Sequence, residues 1–343
     1  MLIQLSTKET YHSLISGSFR ASLAILLLLF CTVSSYANIT KDNLGRFYQS
    51  IVSIHTSVPS DARTAASLGI KREGNGVAID DTHILTIGYI IIEAEKIEIE
   101  LPDGRRFPAT IVGYDHTSGF GIIKSVVPIK FNPLPLGNSD IINSDEDLLI
   151  LPALERGVGS IVRSVSRRPF AGWWEYFLES PIYTVPANGL WAGAPILNQN
   201  GEILGIGSLF VSEAIPGVSS PGNMSVPINI LKPILQDLIS YGRRKNKIQP
   251  YIGISSDDTN DQITVTRVSK SGPAFNAGIK PQDVILTVDG LQVSNLKAFY
   301  QQIWNSGEAG ETIELTVLRN GKVLTFNIIT VDRMDYFVKS QSF

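Results

Sequence analysis

Few side chains in this chain have the type and spacing to do chemistry. There are four histidines, His12, His55, His83 and His116. No pair shows the H-x-x-x-H spacing that seats a metal on one helix face, so no metal site is expected. A general base also needs a positioned nucleophile, which argues against any of the four being catalytic. His55 and His83 fall at strand positions and read as packing or turn residues, and His116 reads as the cap of an exposed turn. The single cysteine, Cys31, lies inside an apolar run. No P-loop or dinucleotide glycine pattern occurs, so no cofactor is expected. What stands out is Asn188-Gly189-Leu190-Trp191-Ala192-Gly193-Ala194-Pro195-Ile196-Leu197-Asn198, followed by Gly201-Glu202-Ile203-Leu204-Gly205-Ile206. At its centre is Ala192, whose methyl cannot attack a carbonyl.

The elements that would position this stretch are mostly strands. Ile51-Val52-Ser53-Ile54-His55 alternates at period two. Lys96-Ile97-Glu98-Ile99-Glu100-Leu101 does so cleanly and runs into Pro102-Asp103-Gly104-Arg105, a hairpin signal with its return strand over 107–112. Short strands with regular turns over 38–241 predict an all-β barrel or sandwich. Apolar spacing at Ile230, Leu231, Ile234, Leu235 and Leu238 predicts a closing helix over 228–241. Residues 242–250 read as a polar, basic, solvated linker. A smaller unit follows over 251–335. It has a helix face at Leu296, Phe299, Tyr300 and Ile303 and a last hairpin around Asn320-Gly321, a type I′ signal.

The balance of the chain is globular: 43% hydrophobic and 18% charged, with a net charge of −3. That charge sets up no global field favouring nucleic acid. The first 37 residues differ from the rest. Lys8 and Arg20 precede an apolar run over 21–33, and Ser35-Tyr36-Ala37 supplies small residues for a cut after Ala37. This is the layout of a secretory signal peptide. The apolar run has 13 residues, short of the roughly 20 a membrane span needs. An uncleaved inner-membrane anchor over 21–33 is the alternative. Cleavage removes Cys31, leaving an exported, periplasmic chain with no disulfide to hold it.

Two resemblances organise these elements. Ser271-Gly272-Pro273-Ala274, Ala277-Gly278-Ile279 and Asp283-Val284-Ile285-Leu286-Thr287-Val288-Asp289-Gly290 resemble the PDZ domain pattern. Gln282 stands where that pattern has glycine, which predicts an altered turn. The resemblance implies that Tyr251, Ile252, Gly253 and Ile254 form the loop that receives a peptide carboxylate. Leu296, Phe299 and Ile303 would line the groove, with core packing as the alternative for Phe299. Upstream, several segments resemble the HtrA/Deg family of trypsin-like serine proteases: Gly74-Asn75-Gly76-Val77-Ala78-Ile79, Leu101-Pro102-Asp103-Gly104-Arg105, Leu136-Gly137-Asn138-Ser139 and the Asn188–Ile206 stretch. The implied fold is mainly β, a trypsin-like double β-barrel over 38–241 followed by an α+β PDZ domain.

That family carries its nucleophilic serine in N-S-G-G-P, its histidine in I-L-T-N-N-H-V-V and its aspartate in D-x-x-T-D-L-A. The matching residues here are Ala192, Tyr89 and Gly119. A phenol with a pKa of about 10 is a poor general base near neutrality. The oxyanion-hole glycine is matched by Leu190, whose side chain resists a positive φ, and Trp191 follows it. The resemblance therefore implies a pseudoprotease that binds peptides, protein C-termini or a sister HtrA-like protease. An active serine endopeptidase with a displaced site and a structural or assembly protein are the alternatives. A homo-trimer is implied through residues 39–48, with Phe47 and Tyr48 available for contacts. Phe170-Ala171-Gly172-Trp173-Trp174-Glu175-Tyr176-Phe177 places five aromatics in eight residues. It reads either as a partner patch or as a hairpin over a hydrophobic core.

Overall fold

A computed structural model describes residues 41–246 and 248–337. The predicted leader over 1–37, with its alternative anchor, Cys31 and His12, lies outside the described residues. Among those residues no helix is long and apolar enough to cross a membrane.

The period-two segments form strands. β1 (Ile51–Ser57), β2 (Lys71–Ala78), β3 (His83–Ile87), β4 (Lys96–Glu100), β5 (Arg106–Tyr114) and β6 (Phe120–Ser125) close into a barrel in the order β1-β2-β3-β6-β5-β4. Ile97 and Ile99 of β4 point inward and Glu98 outward, as the alternation requires. Gly104 takes the left-handed φ of +82° that the β4–β5 turn needs. β7 (Asp147–Ile150), β8 (Ser160–Ser166), β11 (Ile182–Val185), β12 (Pro195–Leu197), β13 (Ile203–Val211) and β14 (Gly222–Pro227) close a second barrel. Its core holds Leu148, Ile150, Val162, Ile182, Ile196 and Leu204. Between β8 and β11 the chain leaves this barrel as a two-stranded hairpin, β9 (Phe170–Gly172) and β10 (Tyr176–Leu178).

The predicted closing helix is divided. Ile228–Ile230 is a single 3-10 turn, and the α-helix runs only over Leu235–Tyr241. Pro233 lies between them and supplies no amide to a continuous helix. The stretch after it is docked rather than solvated. Arg244 grips the buried Asp115 through two bonds of 3.1 and 3.0 Å, and Arg243 pairs with Asp332. Phe47 and Tyr48 are not available for a neighbouring copy either. Both are buried; Phe47 packs on Gly201, and the Tyr48 hydroxyl accepts the Gly159 amide at 2.9 Å.

The last unit adds β15 (Pro250–Tyr251), β16 (Ile254–Asp257), β17 (Ile263–Val268), β18 (Val284–Val288), β19 (Leu291–Gln292), β20 (Thr312–Arg319), β21 (Lys322–Ile329) and β22 (Val331–Asp332). The sheet runs β16-β17-β18-β20-β21. Helix Leu296–Asn305 covers it, capped where the Asn295 side chain accepts the Ala298 amide at 2.9 Å. Asn320 and Gly321 have φ of +50° and +74°, as a type I′ turn demands. Gln282 sits in the turn just before β18. Its φ of +74° is glycine-like, and its amide still donates to the Val265 carbonyl at 2.8 Å. A side chain there is strained. Gln282→Gly should therefore stabilise the chain by up to about 1 kcal/mol, offset in part by the freer unfolded state. An unchanged or lower urea midpoint would contradict this.

Candidate functional site

The 3-10 turn Gly88–Ile90, entered from β3, carries Tyr89 to the seam between the barrels. Its hydroxyl donates to the Ser208 carbonyl of β13 at 2.9 Å. Burial pushes the Tyr89 pKa further above the ordinary phenol value, so the group stays a donor. Gly119, in the β5–β6 loop, is brought alongside by the backbone: the Gly88 amide donates to the Gly119 carbonyl at 2.7 Å. Gly119 has φ +82°, and a Cβ added there would lie 3.4 Å from the Tyr176 hydroxyl. That hydroxyl donates to the Ser118 carbonyl at 2.7 Å. The Tyr176 ring of the aromatic hairpin is thus in ordinary contact distance of any side chain placed at 119.

The Asn188–Ala194 loop is closed by two asparagines. The Asn188 side chain accepts the Leu190 amide at 2.8 Å. Leu190 is absent from the left-handed region, as its side chain predicts. Asn75, fully buried on β2, donates through Nδ2 to the Leu190 and Ala192 carbonyls at 2.8 and 2.9 Å. Its Oδ1 accepts the Ala153 amide at 2.9 Å. Gly193 follows with φ +74°, and an added Cβ would lie 2.1 Å from the Asn75 carbonyl, so only glycine fits. Trp191 lies on the second-barrel core and against Phe210, with ring centroids 5.9 Å apart. Its buried indole nitrogen sits near the Tyr89 hydroxyl but out of hydrogen-bond geometry. Oxyanion stabilisation needs free, preaimed N–H groups. Here the Leu190 amide is already bonded within its own loop.

Tyr89, Gly119, Trp191, Tyr176, Arg267 and Tyr336 are among the residues that line a cavity of about 890 Å³. His116 is also on its wall. It is not a turn cap: its ring stacks on Phe337 at 5.1 Å and meets Tyr114 edge-on at 4.3 Å. Its Nε2 is buried without a partner. Burial, with the nearby Arg333 charge adding to it, holds His116 well below the ordinary imidazole value.

The PDZ-like loop is occupied from within the chain. The Glu175 carboxylate accepts the amides of Ile252, Gly253 and Ile254 at 3.2, 2.7 and 2.7 Å. Burial pushes its carboxyl up, and the Arg333 charge and these three amides pull it partly back. Two residues along β16, the Ser256 amide donates to the Trp173 carbonyl at 2.9 Å. The Tyr300 hydroxyl donates to the Gly172 carbonyl at 2.7 Å. Phe299 and Ile303 are fully buried and Leu296 nearly so, all within the core of this unit; Ala171 and Phe177 of the hairpin pack on the same core. Segment 170–177 is therefore a hairpin over a hydrophobic core, and that core is the one of the last unit.

Comparison with known proteins fits this geometry. Residues 74–206 match the trypsin-like peptidase domain and residues 250–330 match the PDZ domain. Periplasmic serine endoprotease DegP of Salmonella typhimurium is 27% identical over 275 residues, covering 74% of this chain. Serine endoprotease DegS of Haemophilus influenzae is 24% identical over 349 residues, covering 94% of this chain and 97% of its own length. The chain belongs to the HtrA family. It spans 56% of the length of that DegP relative. The solved HtrA-type protease AlgW with decapeptide shares the fold, with a TM-score of 0.52 at 22% identity, covering 88% of this chain and 99% of its own. In this HtrA-family chain the trypsin-like segment carries Asn75, Tyr89, Gly119 and Ala192, and the PDZ segment carries the amides that Glu175 holds.

Sequence reasoning did not single out Asn75, Asn188 or Glu175 as working residues. An asparagine between Gly74 and Gly76, where the strand passes from the charged Lys71-Arg72-Glu73 to Val77 and Ala78, and one acid among five aromatics were the signals available. His116 generates a pH prediction. Its folded pKa is depressed, so below about pH 6.5 the unfolded chain takes up a proton that the fold refuses. Its contribution to stability is present above that pH and is lost as pH falls toward the folded value. The urea midpoint should drop between pH 7.5 and 5.5, and His116→Phe should drop less. Parallel pH profiles would refute the assignment.

Proposed function

We propose that this HtrA-family chain is a pseudoprotease of the periplasm that acts by binding the ends of peptides or proteins. The observation that carries the reading is Tyr89. At the position matched to the family's histidine stands a phenol whose proton is committed to the Ser208 carbonyl. With Gly119 and Ala192 at the other two matched positions, no base, orienting carboxylate or hydroxyl nucleophile is available there. The closed Leu190 amide supports the same reading. Peptide binding is supported by the PDZ segment and by the AlgW structure with decapeptide. Export is supported by the leader and by relatives named as periplasmic. A homo-trimer, or pairing with a sister protease, belongs to the same reading but has no contact residues assigned.

Relatives are named serine endoproteases, so an active peptidase is the competing reading, and one assay decides between them. The purified chain should neither react with a fluorophosphonate serine probe nor degrade unfolded casein; either activity would sink the proposal. Restoring Tyr89→His, Gly119→Asp and Ala192→Ser together should regain little proteolysis. An aspartate at 119 meets a φ of +82°, and the Leu190 amide stays bonded to Asn188. Robust casein cleavage by the triple variant would show that the loop can still open.

A further inference from the structure

The PDZ groove is filled by the chain itself, and the manner of filling is that of a ligand. Three successive amides, of Ile252, Gly253 and Ile254, converge on one carboxylate. Successive amides in a tight loop form an anion-binding concavity, and a chain terminus is one anion of the right shape. Further along the same strand, Ser256 takes the Trp173 carbonyl into a main-chain bond, as an added strand would. Arg267 lies over the Trp173 ring at 5.3 Å. Glu175 reaches its seat with a φ of +54°, a left-handed backbone that a glutamate adopts at a cost. The grip of the amides helps to sustain the turn, and a competitor for them would loosen it.

We propose that the hairpin over 170–178 is the resting ligand of the PDZ groove, and that a protein chain ending in a free carboxylate competes with Glu175 for the amides of Ile252, Gly253 and Ile254. This rests on the peptide-binding reading above and adds its regulation. A tethered ligand acts at a high effective concentration. The apparent affinity for an outside peptide is reduced by the fraction of molecules whose groove is open. The hairpin also places Tyr176, the next residue, on the Ser118 carbonyl beside Gly119. A peptide that takes the Glu175 seat therefore loosens the wall of the cavity between the barrels and the PDZ unit.

The test uses the full chain and a fluorescein-labelled peptide copying residues 167–174 with one added terminal alanine, as free acid and as amide. Glu175→Gln keeps the side-chain shape and removes the charge. It should speed hydrogen exchange at the amides of 252–254 and bind the free-acid peptide at least tenfold more tightly than the unmodified chain. The amide form should bind weakly to both. Tyr300→Phe loosens the same hairpin from its Gly172 end and stands in if Glu175→Gln does not fold. Equal affinities and equal exchange in variant and parent would overturn the internal ligand while leaving peptide binding intact. Faster exchange with no binding of either peptide would overturn the competition and the peptide-binding function together, with the hairpin left as a purely structural plug.

Discussion

A buried carboxylate must find hydrogen bonds or be expelled, and the placement of Glu175 follows from that rule. Three amides of the PDZ-like loop satisfy it, while Arg333 supplies a nearby charge and donates to the Glu175 carbonyl at 3.2 Å. Together with the Ser256–Trp173 and Tyr300–Gly172 bonds, this anchor positions the hairpin of β9 and β10. Its apolar residues cover the PDZ core, its tryptophans line the central cavity, and Tyr176 reaches the loop of Gly119. An interface built around one carboxylate is specific in geometry, because each of its three donors has a fixed backbone direction.

The second constraint is set by Asn75 and Asn188, which hold the same loop from different sides of the chain. Both are amides, and each provides what a loop of inward-turned carbonyls and spare N–H groups requires. Asn75 satisfies two carbonyls and one amide with one side chain across the barrel seam. Asn188 takes the Leu190 amide and also donates to the Ser160 hydroxyl at 2.9 Å. Apart from the unpartnered Trp191 indole nitrogen, the loop at Ala192 is therefore held by satisfied polar groups, an arrangement that rigidifies a site without making it reactive.

Much of the fold was legible in the sequence because its signals are local. The alternation in β4, the turn at Gly104 and the paired positive φ values at Asn320 and Gly321 all follow from residues within a few positions. The closing helix was overdrawn because apolar spacing ignores the amide that Pro233 lacks. At Gln282 the chain places a side chain at a left-handed φ of +74°, which local preference gives to glycine. The matched positions at Tyr89, Gly119 and Ala192 could be found by register, but the partners of Tyr89 and Leu190 could not. Glu175 was the least legible of all. Its partners lie 77 to 79 residues downstream, and no periodicity reports a contact at that range.

The arrangement of Glu175 and Tyr176 also bears on how the molecule comes apart. Adjacent residues, about 3.8 Å apart along the chain, are fastened to different units, one to the PDZ loop and one to the first barrel. Arg244 on Asp115 ties the connecting segment down as well. With so little slack, neither unit can melt while the other keeps its full set of bonds. Heat should therefore unfold barrels and PDZ in one calorimetric transition, where a loosely tethered pair of domains would show two.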